Sequence, residues 1–275
     1  IGPKGIRTIK NANELAHYEY GANLASRCIL NAMNQLKIGM RETEIGALLS
    51  DEGQAHSVIT IAAAGERFEK ANFYPTYKKI KFGEAISMTT GFKGGLSSRT
   101  GFLINEEREL PENQKDYLER VVIPYYKAIV VWLENISLGM LGGELYEIID
   151  KTLPKASYHW HLNPGHFVAD EEWMSSPLSK NSQRQIASGM IFQIDIIPSV
   201  AGYTGVSAEE CVAIADQSLQ NELKVKYPEL WERITTRRNY IINELKIDLG
   251  PDVLPLSNTV GYLRPFLLEK NKALK

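Results

Sequence analysis

Apolar positions recur at helical spacing from Asn11 to Leu36, where Leu15, Ala22, Ala25, Cys28, Ile29, Ala32 and Leu36 form one stripe and Gly39 supplies a stop. Arg41 to Leu49 predicts a second, shorter helix with Ile45 and Leu48-Leu49 facing inward. Ser57 to Ala63 is β-branched and apolar and reads as a strand, and Glu84 to Ile104 reads as two strands around a Gly91–Gly95 turn. Pro111 to Asn135 is the longest helical pattern, on Leu118, Val121-Val122, Tyr125, Ile129, Val130 and Leu133. Glu144 to Thr152 is another helix, ended by Pro154. Tyr158 to Val168, Met190 to Ile197 and Ser207 to Ala215 predict strands, and Gln217 to Leu245 a polar helical stretch. The tail from Asp248 to Leu268 is Pro- and Leu-rich and has no period, and no internal repeat is visible by eye. Helices mixed with antiparallel-type strands predict an α+β fold rather than a doubly wound sheet.

At 275 residues the chain suffices for one large domain with a buried core, or for two small ones. Its formal net charge of -2 gives no electrostatic reason to expect nucleic acid or a membrane surface as partner. No apolar run is long enough to cross a bilayer. Two isolated cysteines, Cys28 and Cys211, suit a reducing compartment, so a cytoplasmic location is expected. The opening Ile1-Gly2-Pro3-Lys4 lacks an initiator methionine, as an excised or processed segment would. No Gly-rich turn has nucleotide-binding spacing, and no Gly-x-Ser-x-Gly elbow supports a Ser-His-Asp hydrolase.

Five motifs follow in order: Gly83-Glu-Ala-Ile-Ser-Met-Thr89-Thr90-Gly91, Gly95-Leu-Ser97-Ser98-Arg99-Thr100, Pro164-Gly165-His166, Gly189-Met-Ile-Phe-Gln-Ile-Asp195-Ile-Ile-Pro198, and Val206-Ser-Ala-Glu209-Glu210-Cys-Val. This series resembles the catalytic domain of methionine aminopeptidase, aminopeptidase P, prolidase and creatinase, over roughly residues 10 to 215. The resemblance implies a pita-bread fold, a curved antiparallel sheet flanked by helices and carrying an internal pseudo-twofold. It places residues 1–215 in the catalytic-type domain, with 216–275 as a C-terminal helix and apolar tail packed on it or on a partner subunit. Members of this group are often dimeric, and the apolar Val253-Leu254-Pro255-Leu256 and Tyr262 to Leu268 segments suit a homodimer contact or a cover for the cavity.

Dinuclear members of that group carry two aspartates, a histidine and two acidic residues. The resemblance puts Thr89 and Ser98 where the aspartates would be, and matches His166, Asp195 and Glu209 to the other three. Neutral hydroxyls cannot neutralise or bridge a pair of divalent ions. Glu210 cannot join Glu209 on one ion, because adjacent strand residues point to opposite faces. No resident metal is therefore expected, although a single divalent ion on His166, Asp195 and Glu209 stays open. The histidine that steadies a tetrahedral intermediate in active members is also missing, with Trp173 or a neighbour in its place.

The expected function is a metal-independent enzyme acting on a small amine-bearing or short-peptide compound. His166 or His161 would be its acid/base, with Asp195 and Glu209 clamping the cation, and Thr89, Ser98, Tyr74, Trp173 and His159 would line the substrate site. Two alternatives stay open: a non-catalytic peptide- or protein-binding module, and a single-metal hydrolase of the Xaa-Pro peptidase type. The bland readings differ. Thr89, Thr90, Ser97 and Ser98 can be ordinary polar strand residues. Asp195 and Glu209 can be acids bonded to backbone or to Arg99, and the aromatics Phe73, Tyr74, Tyr77, Trp160 and Trp173 can be core and pocket wall. Acids within apolar strands are costly to bury unless paired or functional, which favours the functional reading.

Overall fold

Asn11 starts the first helix by accepting from the backbone N–H groups of Asn13 and Glu14, while the Glu14 side chain accepts from the Asn11 N–H. The computed structural model describes residues 5–275; the Ile1-Gly2-Pro3-Lys4 opening lies outside the described residues. Helix α1 (Ala12–Gln35) is followed by α2 (Glu42–Ala47), strand β1 (Ile61–Ala64) and the single turn α3 (Glu66–Glu69). The β2 (Ala85–Phe92) and β3 (Gly95–Phe102) hairpin comes next, then α4 (Ile123–Asn135), α5 (Gly142–Thr152) and the short α6 (Lys155–Tyr158). Strands β4 (His166–Phe167), β5 (Ile191–Ile194) and β6 (Ser207–Ile214), helices α7 (Gln217–Lys226) and α8 (Pro228–Asn243), and β7 (Val253–Pro255) complete the chain.

All strand pairs are antiparallel, in the order β1-β2-β3-β6-β5-β4, with β7 on β6. This is the curled, helix-flanked sheet that the resemblance implies. Helix α1 lies across the β2–β3 hairpin, where a Cβ on Gly21 would come 1.9 Å from the Lys93 carbonyl oxygen and one on Gly95 2.6 Å from Ala22 Cα. Only glycine allows that approach. Helix α4 packs on β5 and β6, with Trp132 edge-on to Phe192 at 6.3 Å and the Tyr125 hydroxyl accepting from the Ala208 N–H at 2.7 Å.

The two halves repeat. Gly39 and Gly139 donate to the carbonyls of Ile80 and Ile186, whose N–H groups return to Met40 and Met140. Glu44 and Glu144 each accept from the backbone N–H three residues earlier, at Arg41 and Leu141. Hairpin β2–β3 thus corresponds to β5–β6, and Thr89 and Ser98 correspond to Asp195 and Glu209. The matching positions are too sparse for the repeat to stand out in the sequence.

Several elements differ from expectation. Only Ile61–Ala64 of the first expected strand forms, leaving Ser57 to Thr60 as a loop. The long Pro111 helix is interrupted by a π-turn at Leu118–Val122, where Pro124 has no N–H to continue an α pattern, so α1 is the longest helix among the described residues. Tyr158 to Val168 is not a strand, because His159 and Leu162 adopt left-handed backbone (φ 47° and 58°) and only His166–Phe167 pairs. The polar helix breaks at Tyr227, since the residue before Pro228 is driven out of helical geometry.

The C-terminal region is built into the same body as the rest. Strand β7 extends the sheet, Val253, Leu254, Leu256, Leu263 and Leu267 are fully buried, and buried Glu19 of α1 holds Arg233 and Arg237 of α8. The apolar tail that suggested a partner contact is therefore covered by its own chain. Among the described residues no helix is long and apolar enough to cross a membrane.

Candidate functional site

Thr89, Ser98 and Glu209 sit side by side on β2, β3 and β6, because the register pairs Thr89 with Ser98 and Ser98 with Glu209. Their alternation along each strand sends these side chains to one face, and Glu210 to the other. Asp195 follows the last residue of β5, and His166 opens β4 two strands from Glu209. Gly165, at φ 130°, delivers His166 where a Cβ would press 2.7 Å from the Gln193 carbonyl oxygen.

The hydroxyls are spent on one another. Thr89 Oγ1 donates to Ser98 Oγ at 2.8 Å, Ser98 and Ser207 hydroxyls lie 3.0 Å apart, and Thr100 lies 3.0 Å from Ser207 and donates to Ser87 at 3.1 Å. The acids and the histidine are not so satisfied. His166 Nε2 lies 3.6 Å from Asp195 Oδ2, and both His166 Nε2 and Asp195 Oδ1 are buried with no hydrogen-bond partner among the described residues. Two carbonyls, of Phe167 at 2.8 Å and Trp173 at 3.2 Å, face His166 Nδ1. A carbonyl only accepts, so Nδ1 carries the hydrogen and Nε2 turns its lone pair, or a second proton, toward Asp195.

Burial pushes the Asp195 carboxyl up to about 6, with Glu172 adding to the rise and His166 opposing it. Burial also raises Glu209 well above the usual carboxylate range, reinforced by Asp195 and Glu172 and opposed by Ser98 and Arg99. Glu209 nevertheless keeps partial access to the cleft. Arg99 does not pair with either acid; it is locked to Glu210 behind the sheet. Among the described residues, no group of three His, Cys, Asp or Glu side chains is arranged to hold a metal ion.

The cleft in front of these groups has a volume near 670 Å³, with Thr89, Asp195 and Glu209 on its floor and His56, Val58 and Glu172 on its walls. An apolar notch of about 20 Å³ adjoins it, where His166 meets Phe92, Leu96, Phe167 and Trp173. Trp173 stacks on Phe167 at 5.3 Å, and Arg7 lies over its ring at 4.8 Å. The other expected site residues lie elsewhere. Tyr74 is 63% exposed, and His159 and His161 are exposed on the segment that fails to form a strand, so they do not share a strand face. Trp160 is core, packed edge-on against Tyr146 at 5.5 Å.

Residues 16–216, most of the chain, match the family described as metallopeptidase family M24. The chain belongs to that family. No curated protein matches it significantly in sequence. An X-Pro aminopeptidase from Thermotoga maritima superposes with a TM-score of 0.61 at 21% identity, over 77% of this chain and 60% of that one. For an Xaa-Pro dipeptidase from Bacillus anthracis the values are 0.62, 20%, 78% and 61%, and for a prolidase from Pyrococcus horikoshii 0.60, 22%, 76% and 61%. These likenesses establish the pita-bread fold, and the chain spans about three-fifths of those proteins' length.

Within this M24 domain, three site residues escaped the sequence reading. Ser207 lies two positions before Glu209, so strand alternation alone would have placed it on the same face. Glu172 stands in an acidic run that looks like solvated surface. His56 lies in an irregular loop, edge-on to Phe92 at 5.1 Å, its ring nitrogens 2.7 Å from the Thr60 hydroxyl and 3.2 Å from that of Ser50. No periodic signal marks it.

Proposed function

We propose that this M24 domain has lost the dinuclear metal centre and acts without metal on a small amine-bearing or peptide-like compound. The observation that carries this reading is the closed hydroxyl chain from Thr89 through Ser98 to Ser207, in the half of the site that mirrors Asp195 and Glu209. A pair of divalent ions needs bridging and neutralising carboxylates, and that half offers only neutral oxygens already bonded to one another. The donor set does not fit a paired-ion centre.

What remains suits proton transfer next to a cation. His166 Nε2 is held in one orientation by the two carbonyls on Nδ1, and can take a proton from, or return one to, a bound substrate. Asp195 and Glu209 offer negative charge that a cationic substrate would stabilise by removing the cost of their burial. The buried thiols Cys28 and Cys211 suit the reducing cytoplasm.

The test is turnover of a panel of guanidino compounds, small amines and Xaa-Pro dipeptides by purified protein, with and without chelator. The expected result is turnover or saturable binding of a cationic compound that survives chelation, with His166→Ala abolishing turnover. Xaa-Pro cleavage that chelator stops and added manganese restores would overturn the reading. Binding with no turnover of any compound would transfer the domain to the non-catalytic alternative.

A further inference from the structure

The run Asp170-Glu171-Glu172 looks uniform in sequence but is divided by its surroundings. Asp170 faces Lys93 Nζ at 3.5 Å and His17 at 3.8 Å, and Glu171 is bonded to Arg7 at 2.6 Å. Glu172 has no ion-pair partner among the described residues; it lines the central cleft, and together with Glu171 it borders the apolar notch. It is thus the one acid of the three left to face the cleft.

Among the described residues no lysine or arginine lines the cleft, and its other ionisable wall residue, His56, is engaged with Thr60 and Ser50. Asp195, 5% exposed, leaves Oδ1 without a partner on the same cleft. A buried acceptor with no donor costs stability until a ligand supplies one. The charge of Glu172 also acts on both Asp195 and Glu209, so the three carboxylates share one field.

We infer that Glu172 is a specificity-determining residue that closes this cleft as a third carboxylate, selecting a primary alkylammonium ligand held between Glu172 and the Asp195–Glu209 pair. This rests on the cationic-substrate reading above and names its third arm. An ammonium group brings three donors, one for each acid. The notch beside Glu172 is apolar and has room for about a methyl group, so the alkyl chain carries a short apolar branch within two carbons of the ammonium.

The experiment is calorimetric titration with isobutylamine and its neutral isostere isobutanol, on the parent protein, Glu172→Gln and Asp170→Asn, the last outside both the cleft and the notch. Glu172 is exposed at the cleft wall, so its replacement leaves the fold intact. Isobutylamine is expected to bind the parent, to weaken about tenfold in Glu172→Gln and to be unchanged in Asp170→Asn, with isobutanol weak throughout. Equal amine affinity in the parent and Glu172→Gln would overturn the assignment of Glu172 while leaving the cationic-site reading in place. If neither isobutylamine nor any other cation of the panel binds the parent, both fail. A loss of the same size in Asp170→Asn would show a general surface-charge effect and also overturn the assignment.

Discussion

Arg99 and Glu210 form a fully buried ion pair on the face of the sheet opposite Glu209, each only 1% exposed. The pair is completed by donation from Thr259 and Ser97 to Glu210, and from Arg99 to the carbonyls of Ser98, Thr259 and Tyr262. The two adjacent acids of β6 therefore have opposite energetic roles. Glu210 is compensated by a full set of donors, whereas Glu209 is held above its usual ionisation range by burial.

Glu210→Ala is expected to destabilise the protein by about 3–5 kcal/mol, because it leaves the Arg99 guanidinium buried without its counter-charge. Glu209→Gln is expected to be neutral or stabilising at neutral pH, since it removes a carboxylate that burial penalises. Urea denaturation of the two variants checks both directions. Equal destabilisation would mean that Glu209 is also structurally compensated.

Asp195 gives a pH signature. Its folded carboxyl titrates at about 6 against a reference value of 3.8, so between those values the folded state holds a proton that the unfolded chain has released. The Asp195 contribution to stability therefore falls as pH rises through that window, and levels off above about 6. Asp195→Asn cannot ionise. At pH 7.5 it is expected to be more stable than the parent by up to about 3 kcal/mol, with the difference vanishing below about pH 4. Thermal unfolding across that range is the measurement, and a variant less stable than the parent at pH 7.5 would show that the carboxylate is satisfied in the fold.

How much of this was legible in sequence depends on which interactions are local. The β2–β3 hairpin was readable because Gly91 and Gly95 bracket two strand patterns, and α1 because its apolar stripe is unbroken. Thr89, Ser98, Asp195 and Glu209 were brought together as their order suggested, since strand register places them directly. Tyr158 to Val168 misled because the apolar positions there serve separate contacts, Trp160 in the core and Phe167 on β5. Tyr74 and Glu172 were beyond reach for a shared reason. The direction of a loop side chain is set by distant partners, here the Arg67 bond to the Tyr74 carbonyl and the ion pairs that absorb Asp170 and Glu171.

Truncation after Leu245 removes β7 together with buried Leu254, Leu256, Leu263 and Leu267 and the Thr259 contact to Glu210. Each fully buried leucine contributes about 1.5–3 kcal/mol on transfer alone, so the loss is comparable to the whole stability of an ordinary domain. The truncated chain is expected to be insoluble or to lack a cooperative unfolding transition. A soluble product with the thermal midpoint of the intact chain would show that the tail is an accessory after all.

The correspondence of Thr89 with Asp195 and of Ser98 with Glu209 can be used to place carboxylates in the half of the site that carries hydroxyls. In Thr89→Asp/Ser98→Asp, two new carboxylates face each other across β2 and β3, with Glu209 directly beside the second. Without metal, this crowding of like charge is expected to lower the thermal midpoint, as opposed like charges on neighbouring strands do. With manganese or cobalt present, the midpoint should recover, because four carboxylates and His166 would then supply oxygen and nitrogen ligands. At an ion concentration one hundred times the dissociation constant the gain is about 2.7 kcal/mol. The parent should not respond to either ion. Thermal unfolding with and without each ion, on both proteins, makes the comparison. An equal upward shift in the parent would mean that Thr89 and Ser98 do not prevent metal binding, and the metal-independent reading would have to be given up.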